Sequence, residues 1–146
     1  MLKRLAVFAP LFLLLLASVP SSLAGDLKLK ARLIWGTNGE KPEGKDLKEV
    51  DSAMKEKLCG VFKWKNYYEV NSQEIVVPHT QSKTIKMSEK CDVEIKSSDK
   101  GTAEFVLIGE GKPVKKVKQA LPMSESLVLA GEDKNETAWF VVLTPQ

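Results

Sequence analysis

The sequence predicts an α+β domain: a mostly antiparallel β-sheet, sandwich-like in one form of it, with one α-helix in the N-terminal half after the first strand. Three observations carry this. Leu27, Leu29, Ala31, Leu33 and Trp35 alternate with Lys28, Lys30, Arg32 and Ile34, the period of two of a half-buried strand. Leu47, Val50, Met54, Leu58 and Val61 or Phe62 then recur at helical spacing. From there to the end, short apolar segments are separated by turn-forming residues, as in strands joined by hairpins.

The chain of 146 residues opens on a stretch that reads as a signal peptide over 1–24. Lys3 and Arg4 supply the positive region, 5–17 the apolar core, and Ser22-Leu23-Ala24 the small residues that a signal peptidase reads. Cleavage is expected before Gly25, which makes the protein secreted or periplasmic with no stable membrane span. Removing 24 residues from 146 leaves 122, the size of a single domain over 25–146. Losing Lys3 and Arg4 turns 22 basic residues into 20 against 19 acidic ones, so net charge implies little about partners.

The first strand presents an apolar face and a face with Lys28, Lys30 and Arg32, which reads as a solvated sheet surface. Residues 36–45, with three glycines and Pro42, form a turn-rich loop. The helix is capped by Asp46, with Glu49 completing a capping box, or else by Asp51, and it stops near Gly60. The stretch 58–70 then turns an aromatic corner into the sheet, and large rings such as Phe62, Trp64, Tyr67 and Tyr68 bury the most area per residue. Strands are expected over 67–70, 74–77, 84–87, 91–96, 103–108, 114–121, 127–130 and 138–143. Turns punctuate them at 97–101 and 109–112, and Pro78 and Pro122 end two of the strands. The lysine-rich segment 114–121 belongs near an edge. The segment 139–143, apolar on both faces, belongs inside the sheet or between two layers.

Cys59 and Cys91 form an even pair in an exported chain, and so predict a disulfide. The chemical inventory is otherwise spare. His79 is the only histidine, and GxSxG, HExxH and CxxC are absent from the sequence. No cofactor, metal or catalytic residue is expected. Asp133, Asn135 and Thr137 echo a calcium loop without its glycine and closing glutamate. Asn135-Glu136-Thr137 is a glycosylation triplet that matters only in a eukaryotic host.

Two groups are candidate binding residues. Trp64, Tyr67 and Tyr68 are flanked by Lys63 and Lys65, a mixture able to stack rings and hold anions. Lys112, Lys115, Lys116 and Lys118 line the edge segment, where a partner strand could add. The functional expectation is therefore a non-catalytic binding or accessory protein of the cell envelope, not an enzyme. Its partner would be an envelope protein or polysaccharide, not nucleic acid. A secreted carboxylate-dependent hydrolase or a secreted inhibitor is the alternative.

Ala31-Arg32-Leu33-Ile34-Trp35 with Thr37-Asn38, a helix, Phe62-Lys63-Trp64-Lys65-Asn66-Tyr67 and a closing Trp139-Phe140-Val141-Val142-Leu143 complete the reading. In this combination the chain resembles a group of small exported bacterial proteins of unknown function. The resemblance implies no activity, ligand or site residue.

Overall fold

The computed structural model describes residues 25–132 and 137–146; the leader and Asp133, Asn135 and Glu136 lie outside these residues. The elements run β1 (Leu27–Thr37), β2 (Lys48–Glu49), α1 (Ser52–Cys59), β3 (Asn66–Val77), β4 (Ser82–Ser88), β5 (Cys91–Ser97), β6 (Thr102–Gly109), β7 (Lys112–Ala120), β8 (Leu127–Glu132) and β9 (Thr137–Pro145). All pairings are antiparallel. One sheet has the order β2-β3-β1-β9-β8 and the other β4-β5-β6-β7.

The period of two in β1 decides how the sheets pack. Leu29, Ala31 and Leu33 point to the space between the sheets, where they meet Ile75 and Val77 of β3 and Val141 and Leu143 of β9. Val93, Ile95, Phe105 and Leu107 of the second sheet face them, all buried. Fully burying one such side chain contributes about 1.5–3 kcal/mol. The two sheets are also laced together at one side. Asn71 Nδ2 donates to Met87 O at 3.0 Å, and Gln73 Nε2 donates to Lys86 O at 2.8 Å.

The alternate residues of the same strands build a second core on the outer face of the five-stranded sheet. Ile34, Phe140, Val142 and Tyr67 meet Val50, Leu58 and Trp64 there. Gly36 lets this happen: a Cβ at that position would lie 3.0 Å from both the Phe140 and the Trp64 rings. The final strand therefore serves both cores, its odd positions facing inward and its even ones outward, and it lies inside the sheet as its composition requires.

The helix is shorter than the apolar spacing implies. It begins at Ser52, with Asp51 as N-cap; Asp51 Oδ1 accepts the Met54 N–H at 2.9 Å. Asp46 caps nothing, because Lys48 and Glu49 pair with β3 as a short strand and the Val50 N–H donates to Tyr67 O at 3.1 Å. Sheet hydrogen bonds have displaced the first helical turn. The segments expected at 67–70 and 74–77 are one continuous strand, β3. Arg32 on the outer face lies 3.3 Å from Asp51 and 3.9 Å from Glu69, so the charge reaching the corner is internally paired.

The expected Cys59–Cys91 disulfide does not form; both thiols are free. The reason is topological. Cys91 faces the core between the sheets, whereas Cys59 ends α1 on the outer face, with the five-stranded sheet between them. Cys59 Sγ is instead 3.8 Å from Trp64 O.

Candidate functional site

Among the described residues, three β-bulges interrupt the ladders. In β3, Asn71 opposes Leu33 and Glu69 opposes Ile34, which leaves Val70 as the extra residue. In β7, Lys115 opposes Leu107 and Pro113 opposes Ile108, which leaves Val114. In β4, Met87 is the residue left over, beside Ser88. A bulge bends its strand and re-aims a side chain, and bulges gather next to binding sites. Here Val70, Ser88 and Val114 line one cleft of about 790 Å³ at the open end of the two sheets. Val70 is 44% exposed and Val114 55% exposed, so two of the most exposed large apolar side chains are directed to the same place.

The floor of the cleft is aromatic. On the inner face of the first sheet, Tyr68, Trp35 and Trp139 are directly opposite one another across β3, β1 and β9. The Trp35 and Tyr68 ring centroids are 6.2 Å apart, within the range of favourable aromatic pairs. Trp35 and Trp139 line the cleft and are partly buried. Trp139 lies flat over Gly131 of β8, where a Cβ would meet the indole at 2.3 Å, and it reaches toward Gly109 of the second sheet. Glycine at 131 is thus what lets the indole lie down.

The rim is polar. Lys45 comes from the loop between β1 and β2, Lys90 from the β4–β5 turn, and Glu110 from the β6–β7 turn. The last two turns are stitched together, since the Glu110 N–H donates to Lys90 O at 2.9 Å. Glu110 has φ 51° and Gly111 φ 77°, the two positive values of a type I′ hairpin turn. A glutamate in the left-handed region costs about 1–2 kcal/mol, and such strain concentrates at functional sites.

A second groove, of about 470 Å³, occupies the opposite end of the sheets. It holds His79, Asp26 and Asp99. Asp26 Oδ1 accepts the His79 backbone N–H at 3.3 Å, so that carboxylate has a structural partner.

The binding residues singled out from sequence are not brought together. Trp64 and Tyr67 are buried in the outer core and offer no exposed platform. Burial raises the Tyr67 pKa against an opposing contribution from the Trp64 backbone, and among the described residues its hydroxyl makes no hydrogen bond of good geometry. Of that trio, Tyr68 alone stands beside Trp35 on the inner face, next to the cleft but not lining it. Lys112, Lys115, Lys116 and Lys118 are exposed on β7, an edge of the four-stranded sheet; Lys116 lies 3.2 Å from Glu104. Trp35, Trp139, Lys45, Lys90 and the bulged valines went unmarked. Pro113, a residue that strands tolerate at edges and bulges, was the one local signal for them.

Among the described residues, no helix is long and apolar enough to cross a membrane. The fold and cleft define a small antiparallel two-sheet domain with an aromatic, lysine-rimmed opening. Comparison with protein-family models, curated proteins and solved structures found no match.

Proposed function

We propose that this sandwich-like α+β domain is an exported, non-catalytic binding protein of the cell envelope whose cleft takes an anionic polysaccharide. The observation that carries the proposal is the convergence of two bulged, exposed valines, Val70 and Val114, on the partly buried Trp35 and Trp139 rings. Contiguous exposed apolar surface rimmed by polar groups is the mark of an interaction site. Flat rings suit the C–H faces of sugars, and Lys45 and Lys90 at the rim suit carboxylate or phosphate substituents. Export rests on the leader over 1–24.

Titration of the protein with a polyuronate should change indole fluorescence and do so less at high salt, while neutral dextran should bind more weakly. Trp35→Leu and Lys90→Glu should each reduce polyuronate affinity by about tenfold. Indifference of both variants would remove the cleft from the reading. Polysaccharide turnover that disappears in Asp26→Asn or Asp99→Asn would replace it with the hydrolase alternative, placed at the other end of the sheets.

A further inference from the structure

The four sheet edges are protected very unequally. β2 is a two-residue strand that covers only Tyr68 and Glu69, so the rest of β3 forms that edge; it carries the Val70 bulge and Glu74, and its Asn71 and Gln73 side chains are engaged with β4. β4 carries Lys83 and Lys86 and the Met87 bulge. β7 carries Pro113, the Val114 bulge and Lys112, Lys115, Lys116 and Lys118. Short edges, prolines, bulges and lysines are the means by which sheets resist adding strands. β8 has none of these. Its register with β9 is regular, and its six residues contain no proline and no lysine, with the terminal Glu132 their single charge. Among the described residues, β8 makes no backbone hydrogen bond to any strand but β9. Its other edge therefore presents free N–H and C=O groups between the half-buried Val128 and the exposed Ala130.

We infer that the β8 edge receives an extended peptide segment of a partner protein, apolar on alternate positions and acidic on the positions that face β7. Charge decides the occupant. β7 is the neighbouring edge of the other sheet, and the chain passes from it to β8 through 121–126, with Met123 buried between the sheets. Lys115 opposes Leu107 and shares the inward side of β7 with Val117, which packs on the core. It remains exposed, so its ammonium group flanks the strip where an added strand's inner side chains would lie. A second copy of this chain fits poorly: pairing β8 with β8 about a two-fold axis would set the β7 lysines of both copies side by side. An acidic strand meets the same lysines as counter-charges, while main-chain hydrogen bonds supply affinity and alternate side chains supply register. This surface lies outside the aromatic cleft and does not depend on it.

The test uses a synthetic peptide of roughly ten residues alternating valine and glutamate, and its valine–lysine counterpart. The acidic peptide should bind and slow amide exchange of β8 by about tenfold, leaving Trp35 and Lys90 unperturbed. The basic peptide should bind at least about tenfold more weakly, and Lys115→Glu should invert that preference. Trp35→Leu, which weakens the cleft, should leave peptide binding unchanged. Three results would overturn the inference: no binding of the acidic peptide at about 1 mM, protection that appears in β7 or the cleft instead of β8, or a dimer of the free protein that protects β8 by itself.

Discussion

The two faces of the five-stranded sheet carry cores of different construction. Between the sheets, seventeen buried residues among those described, from seven strands and the β7–β8 connection, make an almost wholly aliphatic core, with Phe105 its single fully buried ring. On the outer face, eight buried residues suffice, and Trp64, Tyr67 and Phe140 are three of them. Phe62 adds a fourth ring, 4.5 Å from Phe140. The inner core is spread over many strands, so each contact is backed by others. The outer core concentrates its area in a few rings clamped by one short helix. The difference predicts a hierarchy of opening, in which the corner releases before the space between the sheets does.

Thiol chemistry gives the widest contrast. Burial pushes the Cys91 thiol up to about 12, with Asp92 adding to it, so the reactive thiolate is suppressed. Cys59 is exposed. One thiol should react with a disulfide reagent in the native protein and the second only on unfolding. Two rapid reactions, or none in denaturant, would break the comparison.

Packing comes next. Phe105→Ala should cost about 3–5 kcal/mol in denaturant unfolding and lower protection throughout both sheets. Leu58→Ala removes the buried anchor of α1 and should cost about 2–3 kcal/mol. Its exchange signature should be local, with α1 and residues 61–67 opening while β5 and β6 stay protected. Equal loss everywhere would show the two cores to be one cooperative unit.

A smaller effect comes from the helix cap. Asp51→Ala should cost about 1 kcal/mol. The Met54 N–H, then the Arg32 guanidinium, holds the Asp51 carboxylate below its ordinary value of 3.8. A carboxyl whose folded pKa is depressed stabilises the fold fully above its unfolded value and loses that contribution as pH falls through the folded one. The corner should therefore loosen below about pH 4 in the parent, and Asp51→Ala should lack that step. Smallest of all is Tyr67→Phe. Among the described residues the buried hydroxyl makes no hydrogen bond of good geometry, so its removal should change stability by about zero to 1 kcal/mol in the stabilising direction. A clear loss would reveal a bond to that oxygen.

What could be read from the sequence followed from local repetition. The alternation from Leu27 to Trp35 marks β1 and its inward residues, and the turn residues at 97–101 and 109–112 bracket β6 correctly. The lysines of 112–118 mark an edge. The helix start was ambiguous because Asp46 and Asp51 are both competent caps, and only the pairing of Lys48 and Glu49 with β3 separates them. The site was illegible for a stronger reason. Trp35 and Trp139 stand at opposite ends of the chain and become neighbours only through the β1–β9 ladder. A bulge adds one residue to a strand without disturbing composition, so Val70 carries no mark in sequence and Val114 only its neighbour Pro113. The position of Cys59 and Cys91 on opposite sides of a sheet is likewise a property of topology, not of spacing.

The β1–β9 ladder that assembles the cleft also fixes how the domain would answer a pull. The Gln146 N–H donates to Lys28 O at 3.1 Å, so the start of β1 and the end of β9 lie side by side. Antiparallel hydrogen bonds run perpendicular to their strands. Tension applied between these two neighbouring points would load the bonds singly, as a zip opens, and would separate the two strands that hold both cores. Tension applied between Leu27 and Thr137, at opposite ends of the same ladder, would load all its bonds together in shear. The domain is thus mechanically soft along one line of force and stiff along another.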